Sequence, residues 1–296
     1  MEHTEFNNDL IEFLNASPTP WHAVNTMKTR LDAAGFQQLD EREEWALEQG
    51  KGYYAIRNGS SIIAFRTGKN DVVSSGVRMV GAHTDSPCLK VKPTPEIRRK
   101  GFFQLGVEVY GGVLLNPWFD RDLSLAGRVT VLDESGKVQD TLVNFRKPVA
   151  IIPSLAIHLD REANSNRSVN AQTDLPPVVM QVPETDTTAF TDLLREQIAS
   201  ESGLKARKVL GYELSLAAAG QPSWLLHRPA GVAGDVRRPG GLAGMQRPRR
   251  SGQHVGRRRP GAIPRFRAGA LVWCRQGQGH RPLHDDLGRQ RPRRAS

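Results

Sequence analysis

The chain has 296 residues, 38% of them hydrophobic, with 41 Lys and Arg against 31 Asp and Glu for a net charge of +10. That length and apolar content support one large globular domain or two of ordinary size, and they exclude a fibrous or wholly disordered class. No apolar run approaches the roughly 18 residues of a membrane span, MEHTEFNNDL lacks the basic-then-apolar plan of a signal peptide, and Cys88 and Cys274 are too few for a disulfide framework, so a cytoplasmic protein without membrane contact is expected.

In chain order, Leu10, Ile11, Phe13 and Leu14 recur at helical spacing, and Pro18 ends that helix. A second helix follows with Thr19 or Ser17 as cap, Pro20 in its first turn, an apolar face of Trp21, Val24, Met27 and Leu31, and Gly35 as its stop. Both helices are expected to face the core. YYAIRNGSSIIAFRTG reads as two strands joined at Asn58-Gly59, a dipeptide that tolerates the positive φ angles of a tight hairpin. VRMVGAH reads as a buried strand, and FQLGVEVYGGVLL, AGRVTVLDESGKVQDTLVNF and PVAIIPSLAIHL make the middle of the chain β-rich. Helix returns at 187–199, where Phe190, Leu193, Leu194 and Ile198 share a face, and KVLGYELSL closes the series as a strand. The pattern is mixed α/β.

After about residue 217 the composition changes. Residues 222–296 hold 17 of the 41 basic residues, all Arg, and three of the 31 acidic ones, a net +14 that leaves the first 221 residues at −4. That stretch has no Lys, Glu, Asn, Thr or Tyr and sustains no apolar period, so residues 218–296 are expected to be mostly disordered. Its clusters RPRR, GRRRPG and RQRPRR suit non-specific, salt-sensitive binding of nucleic acid or another polyanion.

Chemistry concentrates in GAHTDSPCLKVKP, Gly81 to Pro93. His83 at a strand end can serve as a metal ligand, with Asp85 two residues on accepting a hydrogen bond from its other ring nitrogen; the same spacing also suits a hydrogen-bonded loop histidine. Together with SPTPWHAV, VYGGVLLNPWFDRDLSLAGRV, IPSLAIHL and NAQTDLPPVVMQ, this stretch resembles the aspartyl aminopeptidase family of zinc metallopeptidases, in order, over about residues 6–216.

The resemblance implies an α/β peptidase domain interrupted by a β-rich dimerisation domain, two metal ions, a peptide substrate, and homo-oligomers built from dimers up to twelve subunits. Residues 1–92 would form the first half of the peptidase domain, 93–205 the dimerisation domain and 206–217 a strand returning to the peptidase domain, with 218–296 as the Arg-rich tail. By the same resemblance His83 binds metal and Asp85 supports it. His158 contacts substrate in a neighbouring subunit's site, or, as the alternative, binds metal itself. Asp120 and Asp122 become structural, pairing with Arg121 or Arg128.

The family's bridging Asp, its consecutive Glu pair supplying base and ligand, a further Asp and a final His follow the strand matching KVLGYELSL. Here the last glutamate is Glu213, so that pair has no counterpart, and the chain as it stands is expected to have little or no activity. HRPLHDD, His280 to Asp286, offers two His at i and i+4, but Pro282 argues against the helix that would align them. An Arg, Gly, Pro and Ala bias without Lys is what a GC-rich coding sequence gives out of frame, which makes a frame slip near residue 216 the expected origin of the tail.

Overall fold

The computed structural model describes residues 3–70, 76–219 and 270–275, and it is mixed α/β. Two helices, α1 (His3–Ala16) and α2 (Pro20–Ala33), precede β1 (Gln37–Gln38), β2 (Gly52–Arg57), β3 (Ser61–Arg66) and β4 (Arg78–His83). Then come β5 (Cys88–Arg99), β6 (Phe102–Tyr110), a 3₁₀ turn at Asn116–Trp118, β7 (Leu123–Asp133), β8 (Val138–Asn144) and β9 (Val178–Gln181). The helix α3 (Phe190–Ser202), β10 (Ala206–Ala218) and β11 (Ala270–Arg275) complete the series.

The strands form two sheets. One runs β1-β2-β3-β11-β4 and the other β8-β7-β10-β5-β6-β9. In the first, β2 and β3 pair antiparallel around the expected turn, where Asn58 and Gly59 take φ of 53° and 64°. α2 packs on this hairpin through Val24 against Tyr54, Ile62 and Ala64, with Met27 and Leu31 partly buried beside them. Pro20 occupies its first turn and Gly35, at φ 76°, takes the chain out, as the sequence implies. The Thr19 hydroxyl, however, does not cap the helix and instead shares a 2.7 Å hydrogen bond with His22 Nδ1.

The six-stranded sheet holds the larger core. Leu89, Phe103, Leu105, Leu125, Val129 and Leu214 alternate inward along neighbouring strands, and Phe190, Leu194 and Ile198 of α3 pack onto them. Position 127 must be glycine, because a Cβ there would lie 2.0 Å from the Glu213 carbonyl oxygen of β10. β10 pairs with β7 along its length and with β5 at one point, so the strand expected to return to the peptidase domain lies inside this second sheet. Arg128 joins the two sheets: one guanidinium nitrogen lies 2.8 Å from Glu213 Oε1 on β10, the other 3.4 Å from Asn58 Oδ1 in the β2–β3 turn, and the group stands 5.1 Å over the Trp21 ring of α2.

Three expectations need correction. β4 is a strand but not a buried one, since all six of its residues are exposed and Met79 is 71% accessible; burial requires a partner surface that the described residues do not supply. α1 buries Ile11 alone of its four apolar candidates, leaving Leu10 and Leu14 exposed. PVAIIPSLAIHL makes only isolated bridges at Ala150, Ile151 and Ile152 before Pro153 turns the chain away from pairing. Within the tail, expected to be mostly disordered, Ala270–Arg275 forms β11 between β3 and β4; the rest of 220–296 lies outside the described residues.

Candidate metal-binding site

His83 sits at the carboxyl end of β4, where an outgoing loop brings Asp85 back beneath it. Its Nδ1 lies 2.7 Å from the Asp85 main-chain carbonyl and 3.3 Å from Asp85 Oδ1. A proton on Nδ1 donates to those oxygens, which leaves the Nε2 lone pair free on a side chain that is 73% exposed. The geometry suits a ligand whose tautomer is set from behind.

Asp85 is itself held. Its side chain is 16% exposed, and Oδ2 accepts the Tyr110 hydroxyl at 2.7 Å. Burial, reinforced by that carboxylate, pushes the Tyr110 phenol up to about 12, so it stays a donor throughout the working pH range. The register that pairs Cys88 with Tyr110 between β5 and β6 makes this contact. On the other side the Thr84 hydroxyl donates to the Ser60 carbonyl at 2.8 Å, tying the loop to the β2–β3 turn. Cys88 is not a competing nucleophile, because burial raises its thiol pKa and Sγ–H donates to Ser215 Oγ at 3.5 Å.

Behind Asp85 lies a cavity of about 60 Å³ lined by Ser17, Trp21, Asp85, Lys90, Tyr110 and Ser215, among others. Lys90 Nζ stands 4.3 Å over the Tyr110 ring, and the Ser17 hydroxyl and Trp21 indole N–H are buried without a partner among the described residues. The cavity is mainly apolar, but these two donors border it and it has room for ordered water. SPTPWHAV thus meets GAHTDSPC in space. Tyr110 and Thr84 are supporting residues beyond those the sequence pattern points to, and Trp21, expected on the apolar face of α2, joins them; Tyr110, within VYGG, reaches Asp85 only through strand register.

The remaining candidates lie elsewhere. His158 belongs to an exposed turn at 157–159, not to a strand, and among the described residues no hydrogen bond or ion pair joins it to His83 or Asp85. It stands between Ile157 and Leu159, both exposed, the latter 74%. Asp120, at φ 53°, has its carboxyl held below the usual range by the Ser154 side chain and then by the Ser154 N–H, which donates to it at 2.8 Å. The expected Arg partners are otherwise engaged: Arg128 pairs with Glu213 and Asp140, and Arg121 donates to the Pro117 carbonyl. HRPLHDD and the Arg clusters lie outside the described residues.

Comparison with known proteins identifies the lineage. The family model for aminopeptidase I zinc metalloproteases (M18) matches residues 13–225. The chain belongs to the M18 aminopeptidase family. It is 59% identical over 211 residues to the probable M18 family aminopeptidase 2 of Pseudomonas savastanoi pv. phaseolicola, an alignment covering 71% of this chain and 49% of that one. Among solved structures, Chaetomium thermophilum mApe1 aligns with TM-score 0.65 and 34% identity, over 74% of this chain and 52% of that one. The S. cerevisiae mApe1 dodecamer aligns with TM-score 0.60 and 27% identity, over 75% and 50%. This M18 chain therefore spans about half the length of the curated relatives it matches.

The family description implies zinc. The residues present do not fit a complete zinc centre. Among the described residues no three His, Cys, Asp or Glu side chains are grouped to hold a metal ion. His83 offers one nitrogen, Asp85 is committed to Nδ1 and Tyr110, and Glu213 is tied to Arg128 on β10. A structural or catalytic zinc needs at least three protein ligands, more than the described residues bring together.

Proposed function

We propose that this chain represents the amino-terminal part of a cytoplasmic, zinc-dependent aminopeptidase that releases N-terminal residues from peptides, with acidic residues the candidate preference. His83 is its one metal ligand, Asp85 the group that orients that ligand, and His158 a substrate contact offered to a neighbouring subunit. The observation that carries this reading is the His83–Asp85–Tyr110 relay: a histidine with one nitrogen fixed by a partly buried, doubly engaged carboxylate and the other open. The family match supports it.

On the same reading the chain alone does not hydrolyse peptides. Activating water between two metals takes a bridging carboxylate and a general base; no glutamate follows Glu213 to supply that base. Homo-oligomers are part of the proposal, supported by the dodecameric neighbour and by the exposed Leu155, Ile157 and Leu159 around His158. The test is release of the first residue from aspartyl- and glutamyl-peptides by the purified chain with added zinc. The rate should equal that of a chelator-treated control; chelator-sensitive turnover by protein free of host peptidases refutes the inactivity of the chain alone, and binding of zinc by the chain that is unchanged in His83→Ala refutes His83 as its ligand.

A further inference from the structure

We infer that Ala270–Arg275, inside the Arg-rich tail, is the strand that holds the His83 strand in its sheet. β4 ends the sheet, and among the described residues its one strand partner is β11. The pairing is parallel over six positions, from Ala270 opposite Arg78 to Arg275 opposite His83. Side-chain packing does not hold β4, since all its residues are exposed. A six-residue strand with neither a buried face nor a second ladder has little independent stability, so the hydrogen bonds to β11 fix its place.

β11 can do this because its other edge is anchored. It pairs antiparallel with β3 from Leu271 opposite Phe65 to Cys274 opposite Ile62, and β3 is locked to β2 and α2 through the small core around Tyr54 and Ile62. Support passes from that core through β3 and β11 to β4, and so to the backbone of His83. The local sequence agrees. ALVWC is an uninterrupted apolar run without Gly or Pro, set among Arg, Gly and Pro on both sides. Part of the tail therefore contributes to the candidate site. The functional meaning of this inference rests on His83 being the metal ligand, but its test does not read metal.

The test is hydrogen–deuterium exchange on the full chain, with mass spectrometric readout of peptides covering 78–83 and 270–275. The amides of 270–275, paired on both sides, and those of 78–83 that face β11 should exchange at least tenfold more slowly than unstructured peptide. Val272→Pro removes a ladder hydrogen bond from the middle of β11. It should abolish protection of 78–83 while β7 and β10 keep theirs, and Val255→Pro, in the tail but outside β11, should change nothing in 78–83. Exchange of either segment at the unstructured rate in the unaltered chain overturns the inference, whatever the variants do; so does undiminished protection of 78–83 in Val272→Pro.

Discussion

Arg128→Met offers the sharpest test of how the two sheets are coupled, because one guanidinium makes contacts in three elements. Arg128 and Glu213 are direct cross-strand partners between β7 and β10, 2.8 Å apart, with side chains 20% and 41% exposed. Glu213 is wet enough to be screened, so the pair is worth about 1 kcal/mol. The cation over Trp21 at 5.1 Å adds about 0.5–1 kcal/mol. Asp140 at 3.5 Å and Asn58 at 3.4 Å are long contacts that add a few tenths at most. Methionine keeps most of the side-chain packing, so the expected loss is about 2 kcal/mol in urea unfolding followed by circular dichroism. A double-mutant cycle with Glu213→Gln should return about 1 kcal/mol of coupling, and 1 M salt should shrink that coupling while leaving the Trp21 contribution largely intact. A loss below about 0.5 kcal/mol, or no coupling, would show that the sheets are held by apolar packing and that the charge network is incidental.

Two further predictions concern the same framework. Gly127→Ala would drive a methyl group into the β10 backbone, 2.0 Å from the Glu213 oxygen, and should cost more than about 3 kcal/mol, whereas Gly211→Ala on β10 meets nothing within 4 Å and should stay within about 0.5 kcal/mol; equal melting-temperature shifts in the two variants would contradict the register. His22 is lowered to about 4 by burial and then by Arg146, against 6.5 when unfolded. The unfolded chain therefore binds the extra proton between those values, so the His22 contribution is intact above pH 6.5 and is lost as pH falls toward 4, by up to about 3 kcal/mol. His22→Gln should flatten that slope in urea midpoints measured from pH 7 to 4, and parallel slopes for the two proteins would count against the buried, neutral ring.

What could be read in advance follows the range over which each feature is decided. The Asn58-Gly59 turn depends on two residues and their φ angles, and the apolar face of α2 repeats within one helix, so both were visible in sequence. Exposure of β4 depends on what lies against it, and VRMVGAH reads the same with or without a covering layer. His158 was misplaced for a related reason: an apolar run suggested a strand, but Pro153 left only bridges at 150–152 and gave the rest to a loop.

β11 shows the limit most clearly. Composition over 75 residues argued against structure, yet strand formation needs only a short apolar run and two edges lacking partners, and β3 and β4 supply those edges. The candidate site inherits that dependence. His83 and Asp85 are neighbours in sequence and their contact is local, but Tyr110 reaches Asp85 through the β5–β6 register, and β4 is aligned by residues 192 positions later. A metal site assembled this way requires its ligand strand to be placed before a second ligand can meet it.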